Sequence, residues 1–161
     1  MYDLTNIYKT TKYIDDLFVV RYPNDKEIIR KNRLELLVEI GELANETKCF
    51  KYWSIKGPGE KEKILEEYID CLFMTLYFSN LTNISLDEEF PKSSKDDLVD
   101  TFINVYKYAS SISEVPTKDE VKQVLVELDH LGKLLEFTIE DLERITDKKK
   151  TIIEDRLNSN Y

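Results

Sequence analysis

The chain predicts an all-α fold, a helical bundle with a four-helix core, on three observations. Only 4 Gly and 4 Pro occur in 161 residues, while Leu, Ile, Glu, Lys and Tyr are abundant. Apolar residues recur at helical spacing along most of the chain, and no run alternates as a strand would. Capping signatures and Pro- or Gly-containing breaks punctuate those stretches. The length suits a single domain over residues 1–161, long enough to bury a proper core. No internal repeat or low-complexity segment interrupts it.

Each element has its own signal. The first helix is expected from about Leu4 to Val20, with Leu4, Ile7, Tyr8, Tyr13, Ile14, Leu17 and Phe18 on its apolar face. Tyr22-Pro23-Asn24 ends it, and Asn24 with Glu27 reads as the cap of a second helix that continues to Cys49. That helix buries Leu36, Leu37, Ile40, Leu43 and Ala44. Phe50-Lys51-Tyr52-Trp53 leaves it, with Phe50 expected in the core, and Gly57-Pro58-Gly59 is a firm break. A third helix, about Glu60 to Leu81, buries Ile64, Leu65, Tyr68, Ile69, Leu72, Phe73 and Leu76. The polar stretch Thr82 to Ser94 has room for one short turn near Ser85. The fourth helix is expected over about Lys95 to Ser111. Thr117-x-x-Glu120 caps a fifth that runs to about Glu136, and Thr138-x-x-Asp141 caps a sixth that fades in the charged tail.

Composition excludes several functions. A net charge of −9 argues against neutralising nucleic-acid phosphates. An anionic substrate would need a metal ion or locally placed lysines. Two cysteines, Cys49 and Cys71, make neither a disulfide framework nor a zinc site and suit a reducing cytoplasm. No secretory leader is expected at the N-terminus, and the apolar run Cys71–Phe78 is too short to span a bilayer. The expectation is a cytoplasmic protein with no nucleic-acid or membrane partner.

The chemistry lies in two pairs of acids, Glu39-x-x-Glu42 and Glu67-x-x-Asp70. Three-residue spacing turns a helix by about 300°, so both members of a pair point the same way, roughly 60° apart. Glu46 extends the first stripe. Acids at helical spacing often form only a solvated face. Here both pairs border apolar stripes, and the Gly-Pro-Gly connection is short enough to make their helices antiparallel neighbours. Asp70 also leads directly into the apolar run Cys71–Phe78. Four carboxylates converging beside a core raise one another's pKa or require a cation. A hard divalent metal with oxygen ligands is the simplest compensation.

Other candidates are weaker. Glu35, Glu62 and Glu66 read as surface charges, with Glu66 the alternative to Glu67. His130 in Glu127-x-x-His130 resembles half of a di-iron motif, but the chain has 1 histidine and that architecture needs two. His130 is therefore expected at a helix surface or interface. Trp53 with Tyr52 offers either a stacking surface or core, and Lys51 and Lys56 beside it suit a polyphosphate. Lys148-Lys149-Lys150 and Arg156 form a basic tail, solvated or folded over a phosphate site.

These residues carry a resemblance. Glu39-x-x-Glu42, a gap of 24 residues, then Glu67-x-x-Asp70 resembles the signature of the all-α nucleoside triphosphate pyrophosphohydrolases, the MazG-like superfamily. The surrounding text, Leu37-Val38-Glu39-Ile40-Gly41-Glu42-Leu43-Ala44-Asn45-Glu46, Cys49-Phe50-Lys51-Tyr52-Trp53 and Leu65-Glu66-Glu67-Tyr68-Ile69-Asp70, is similar to the dimeric all-α dUTPases. The tail, with Lys149, Arg156 and Tyr161, resembles that family's C-terminal motif.

The resemblance implies hydrolysis of dUTP to dUMP and pyrophosphate, with two or more Mg²⁺ (or Mn²⁺) ions held by Glu39, Glu42, Glu67 and Asp70. A metal-activated water, oriented by Glu39 or Glu42, would attack the α-phosphate. Lys51, Lys56, Lys149 and Arg156 would supply positive charge, and Trp53 and Tyr161 would contact the nucleotide. In the family the first helix usually offers a Gln and a further polar residue one turn on. Here Thr10–Asp16 contains neither Gln nor Asn, and Thr11 and Asp15 are the polar candidates. The family also implies a homodimer. The alternatives are a pyrophosphohydrolase for another (d)NTP such as dCTP, and a non-catalytic helical module that binds a protein.

Overall fold

The computed structural model describes residues 1–23 and 26–159. Six helices lie among them: α1 (Thr5–Arg21), α2 (Ile28–Thr47), α3 (Lys61–Thr82), α4 (Leu98–Ser111), α5 (Lys118–Leu134) and α6 (Ile139–Asn158). No strand occurs among the described residues. The all-α expectation holds, and most boundaries fall within a turn of their signals.

Local chemistry explains those boundaries. Both capping boxes form: the Thr117 hydroxyl accepts from the Glu120 N–H while the Glu120 carboxylate accepts from the Thr117 N–H at 2.8 Å, and Thr138 and Asp141 repeat the exchange. α4 starts three residues after Lys95 because Asp97 is its cap, its carboxylate accepting from the Asp100 N–H at 2.9 Å. α2 stops at Thr47, short of Cys49, because Lys48 takes a left-handed turn at φ 54°. The expected Asn24 cap lies outside the described residues. α6 does not fade early but continues through the basic tail to Asn158.

Four helices close a ring. α2 packs on α3, α3 on α5, α5 on α4, and α4 back on α2. α1 and α6 pack on each other and both cover the remaining side of α3. α3 is therefore enclosed, and Leu65, Ile69, Cys71, Leu72, Leu76 and Phe78 are each no more than 1% exposed. Burying each such Leu, Ile or Phe contributes about 1.5–3 kcal/mol. The buried hydroxyls of Thr75 and Ser79 return hydrogen bonds to the carbonyls one turn back, at 2.9 and 3.1 Å.

α2 and α3 run antiparallel. The Gly59 N–H, just before α3, donates to the Glu46 carbonyl near the end of α2 at 2.9 Å. Glu39 faces Glu67 and Asp70 further along, and Asn32 stands beside the Tyr77 hydroxyl at the far end. α6 runs parallel to α3, as the pairs Glu62–Arg144, Glu66–Lys148 and Asp70–Lys149 show.

The connection between α3 and α4, residues 83–97, is fastened to α5. The buried Glu127 carboxylate accepts from Ser93 at 2.8 Å and Asn104 at 3.3 Å. His130 Nε2 bonds the Lys95 carbonyl, and Glu88 pairs with Lys118 and Lys122. His130 is thus a half-buried tether at a surface junction. Near Ser85 there is a turn, with the Glu88 N–H donating to the Ser85 carbonyl. One expectation is corrected: Phe50 is 45% exposed, because α2 ends before it and the loop carries it outward. In that loop Tyr52, Trp53 and Ile55 are more exposed still.

Candidate active site

α1, α2, α3 and α6 enclose a cavity of about 560 Å³. α2 supplies Glu35 and Glu39, one turn apart on the same face. α3 supplies Lys63, Glu66, Glu67 and Asp70. Lys148, Lys149 and Arg156 enter from α6, and α1 closes the far end with Thr11, Ile14, Asp15 and Phe18.

Glu39, Glu67 and Asp70 each offer an oxygen, and these atoms all lie within 4.8 Å of one another. Their electrostatics follow from that crowding. Partial burial, then the charges of Asp70, Glu42, Glu35 and Glu67, push Glu39 from the usual 4.5 to about 7. Glu67 is raised by desolvation and by Asp70. Asp70 is raised by burial against the opposing pull of Lys149, whose ammonium donates to its carboxylate. Oxygen donors at this spacing, held partly out of water and short of positive charge, fit a hard divalent cation.

Glu42 stands at the edge of this group. Its side chain is exposed and does not line the cavity, yet its charge acts on Glu39, Glu67 and Asp70. Glu46 instead packs on the Gly59 backbone, where an added Cβ would lie 2.5 Å from its Oε2. Glu66 also lines the cavity and is paired with Lys148 at 2.5 Å, which lowers its pKa.

Among the expected substrate contacts, Thr11, Asp15, Lys149 and Arg156 line the cavity. Thr11 is buried, its hydroxyl donating to the Ile7 carbonyl at 3.0 Å. Lys51, Trp53 and Lys56 are not brought to the cavity. Lys51 donates to Asn45 at 2.6 Å, and Trp53 packs edge-on against Tyr52 and Phe50 at the exposed loop. Tyr161 lies outside the described residues.

Sequence reasoning missed Glu35. Its surface is exposed, yet it lines the cavity, and desolvation with the charge of Asp70 raises its pKa. The available signal was its position four residues before Glu39. Asn32 and Lys148 also line the cavity, and only the pairing of α2 with α3 and of α6 with α3 puts them there.

A family model described as dUTPase matches residues 3–161. The chain belongs to the all-α dUTPase family. Comparison with curated proteins gave no match. Membership in the dUTPase family supports dUTP hydrolysis as the general activity and a nucleotide as the substrate. The cavity suits such a ligand, being of nucleotide size with carboxylates and lysines at one end and an apolar wall at the other. No helix of the described residues is long and apolar enough to cross a membrane.

Proposed function

We propose that the protein is a Mg²⁺-dependent dUTPase that converts dUTP to dUMP and pyrophosphate by attack of water on the α-phosphate. The observation that carries this reading is the meeting of Glu39, Glu67 and Asp70 in a lysine-flanked cavity, in a chain of the dUTPase family. Glu39, Glu67 and Asp70 would hold the cation, with Glu42 the fourth acid. When bound, two or more Mg²⁺ (or Mn²⁺) ions supply charge neutralisation at the phosphates and lower the pKa of water.

The protein's own part is orientation and charge. The α2 acids Glu39 and Glu42 orient the attacking water and accept its proton. Lys149 and Lys148, carried on α6 beside Asp70 and Glu66, face the leaving pyrophosphate. The bond between the α-phosphorus and the bridging oxygen breaks, and the wall of α1 keeps bulk water from the base.

A homodimer accompanies this reading. Leu34 and Val38 on α2 and Val99 and Ile103 on α4 are 41–64% exposed. Gly41 and Tyr106 follow at the same helical spacing, and an added Cβ at Gly41 would lie 2.9 Å from the Tyr106 hydroxyl, so the two stripes converge where α2 packs on α4. Exposed apolar surface of this kind marks an interaction face. A single domain over residues 1–161 is supported by the family match and by one buried cluster that draws on all six helices. A cytoplasmic location is consistent with Cys49 and Cys71, both free thiols.

The test is pyrophosphate release from dUTP, dCTP, dTTP, dATP, dGTP and UTP, with Mg²⁺ and with EDTA. Turnover of dUTP abolished by EDTA, and lost in folded Glu42→Gln and Asp70→Asn variants, is the expected result. Turnover that survives EDTA would overturn the metal-dependent mechanism. Turnover confined to another nucleotide would overturn the substrate.

A further inference from the structure

Lys149 stands on a carboxylate that a bound cation also needs. Its ammonium donates to Asp70 Oδ2, and Asp70 belongs to the group of acids whose oxygens lie within 4.8 Å of one another. The charge of Lys149 reaches Glu67 as well. Its neighbours on α6 are engaged elsewhere, Lys148 with Glu66 and Lys150 over the Tyr13 ring. The Lys149 side chain is 17% exposed and that of Asp70 30%. This is therefore not the fully solvated kind of pair that contributes little. An ammonium and a divalent ion on one carboxylate are like charges a few ångströms apart, at twice the repulsion of two unit charges. The ion has to displace the ammonium.

The helix itself is held in place on both sides. Arg144 grips Glu62 with two hydrogen bonds, at 2.8 and 2.9 Å, and Lys148 bonds Glu66 at 2.5 Å. Those acids and Asp70 are spaced four residues apart on α3, so the ladder brings Lys149 to its third rung. Further along, the Tyr13 hydroxyl of α1 donates to Glu154 at 2.8 Å. With the α6 backbone tied to α3 and α1, a displaced Lys149 moves its long side chain, within the cavity it already lines. While bonded to Asp70, the ammonium is largely neutralised and attracts an anion weakly. Released, it offers all three donors.

We propose that Lys149 is a stand-in cation: it holds Asp70 until a divalent ion displaces it, and its displacement turns the ammonium toward a polyphosphate anion, coupling the two binding events through one side chain. The anion rests on the dUTPase reading above; the competition for Asp70 does not. The competition has a definite sign. Without the ammonium, metal alone binds more tightly and the anion more weakly. A lysine that merely fastens α6 would lower both affinities, and one that serves the phosphates alone would leave the metal affinity unchanged.

The experiment compares wild type, Lys149→Met and Lys150→Met. Lys149→Met keeps an apolar stem and drops the charge, and Lys150→Met drops the same charge one residue on. Calorimetric titration with Mg²⁺ alone, and with Mn²⁺ alone read by the paramagnetic resonance of the free ion, reports on the acids without turnover. Lys149→Met should bind either ion about 10-fold more tightly, the worth of one hydrogen bond to a charged group that the ion no longer breaks. Lys150→Met should stay within about 2-fold of wild type, its charge being screened by salt. At saturating Mg²⁺, dUTP with an imido bridge between its α- and β-phosphorus should bind Lys149→Met about 10- to 100-fold more weakly than wild type. Unchanged or weaker metal binding by folded Lys149→Met overturns the proposal, as does equal tightening in Lys150→Met. Tighter metal binding with unchanged affinity for the analogue overturns the coupling. Should Lys149→Met not fold, Lys149→Gln takes its place with the same expectations. Tighter metal binding with no binding of the analogue to any of the three proteins would overturn the dUTPase reading and support the stand-in role.

Discussion

Replacing Glu39 by Gln should stabilise the metal-free protein while removing the site's capacity to hold a cation. Glu39 shares its surroundings with Glu67 and Asp70, oxygens within 4.8 Å of one another. At that separation two like charges repel by about 1 kcal/mol in a water-like medium and by about 3.5 kcal/mol at an effective dielectric of about 20. The rise of Glu39 from 4.5 to about 7 corresponds to about 3 kcal/mol. Solvent reaches part of the side chain, which reduces the figure to about 1–2 kcal/mol. Because the folded pKa is the higher one, stability from this group is full below 4.5 and is lost as pH rises through about 7. In EDTA at pH 8, Glu39→Gln should therefore melt about 3–6 °C above wild type, at roughly 2–4 °C per kcal/mol. Near pH 5 the gap should largely close. With excess Mg²⁺ it should shrink or reverse, because wild type gains binding free energy that the variant lacks. Circular dichroism melts under these three conditions suffice. A variant no more stable than wild type at pH 8 in EDTA, or a gap of equal size at pH 5, would refute the reasoning.

Three further outcomes are expected. Gly132→Ala places a methyl 2.7 Å from the hydroxyl of Tyr68, which is buried and hydrogen-bonded to the Leu128 carbonyl; urea unfolding should show a net loss of about 1–3 kcal/mol despite the better helix former. Thr138→Ala removes the side-chain acceptor of the α6 capping box and should cost about 1 kcal/mol with an unchanged m-value. Val38→Lys with Ile103→Lys, both on the exposed α2–α4 face, should shift sedimentation from dimer to monomer, and an unshifted dimer would move the interface elsewhere.

Much of the fold was legible because its signals are local. The Thr117 and Thr138 boxes announce helix starts within four residues, and the i, i+3 spacing of Glu67 and Asp70 fixes their common direction whatever the helix packs against. The convergence of Glu39 with that pair was also legible, through the short Gly57-Pro58-Gly59 connection. What sequence reasoning misplaced depends on how a segment leaves its helix. Phe50 looks like core, but the left-handed turn at Lys48 carries it outward. Glu35 looks like a surface charge until α3 puts Asp70 opposite it. The start of α4 was blurred because Lys95 and Asp97 both precede the apolar pattern, and only the Asp97 hydrogen bond separates them. Asn80 carried no signal, since its partner Asp15 is 65 residues away in the chain.

The ring of four helices and the α1–α6 layer divide the site between two bodies of different standing. The acids proposed for the cation sit on α2 and α3, two helices of the ring, on the side that faces α1 and α6, where a change of backbone disturbs the core itself. Most of the cationic side chains and the α1 part of the cavity wall come from the outer layer, whose helices pack on the ring through α3 among the described residues. Substitutions in α1 therefore reshape one wall of the cavity without touching the acids of α2 and α3. The two parts can therefore vary separately: the α1 wall at little cost to the core, the acid-bearing helices only together with it.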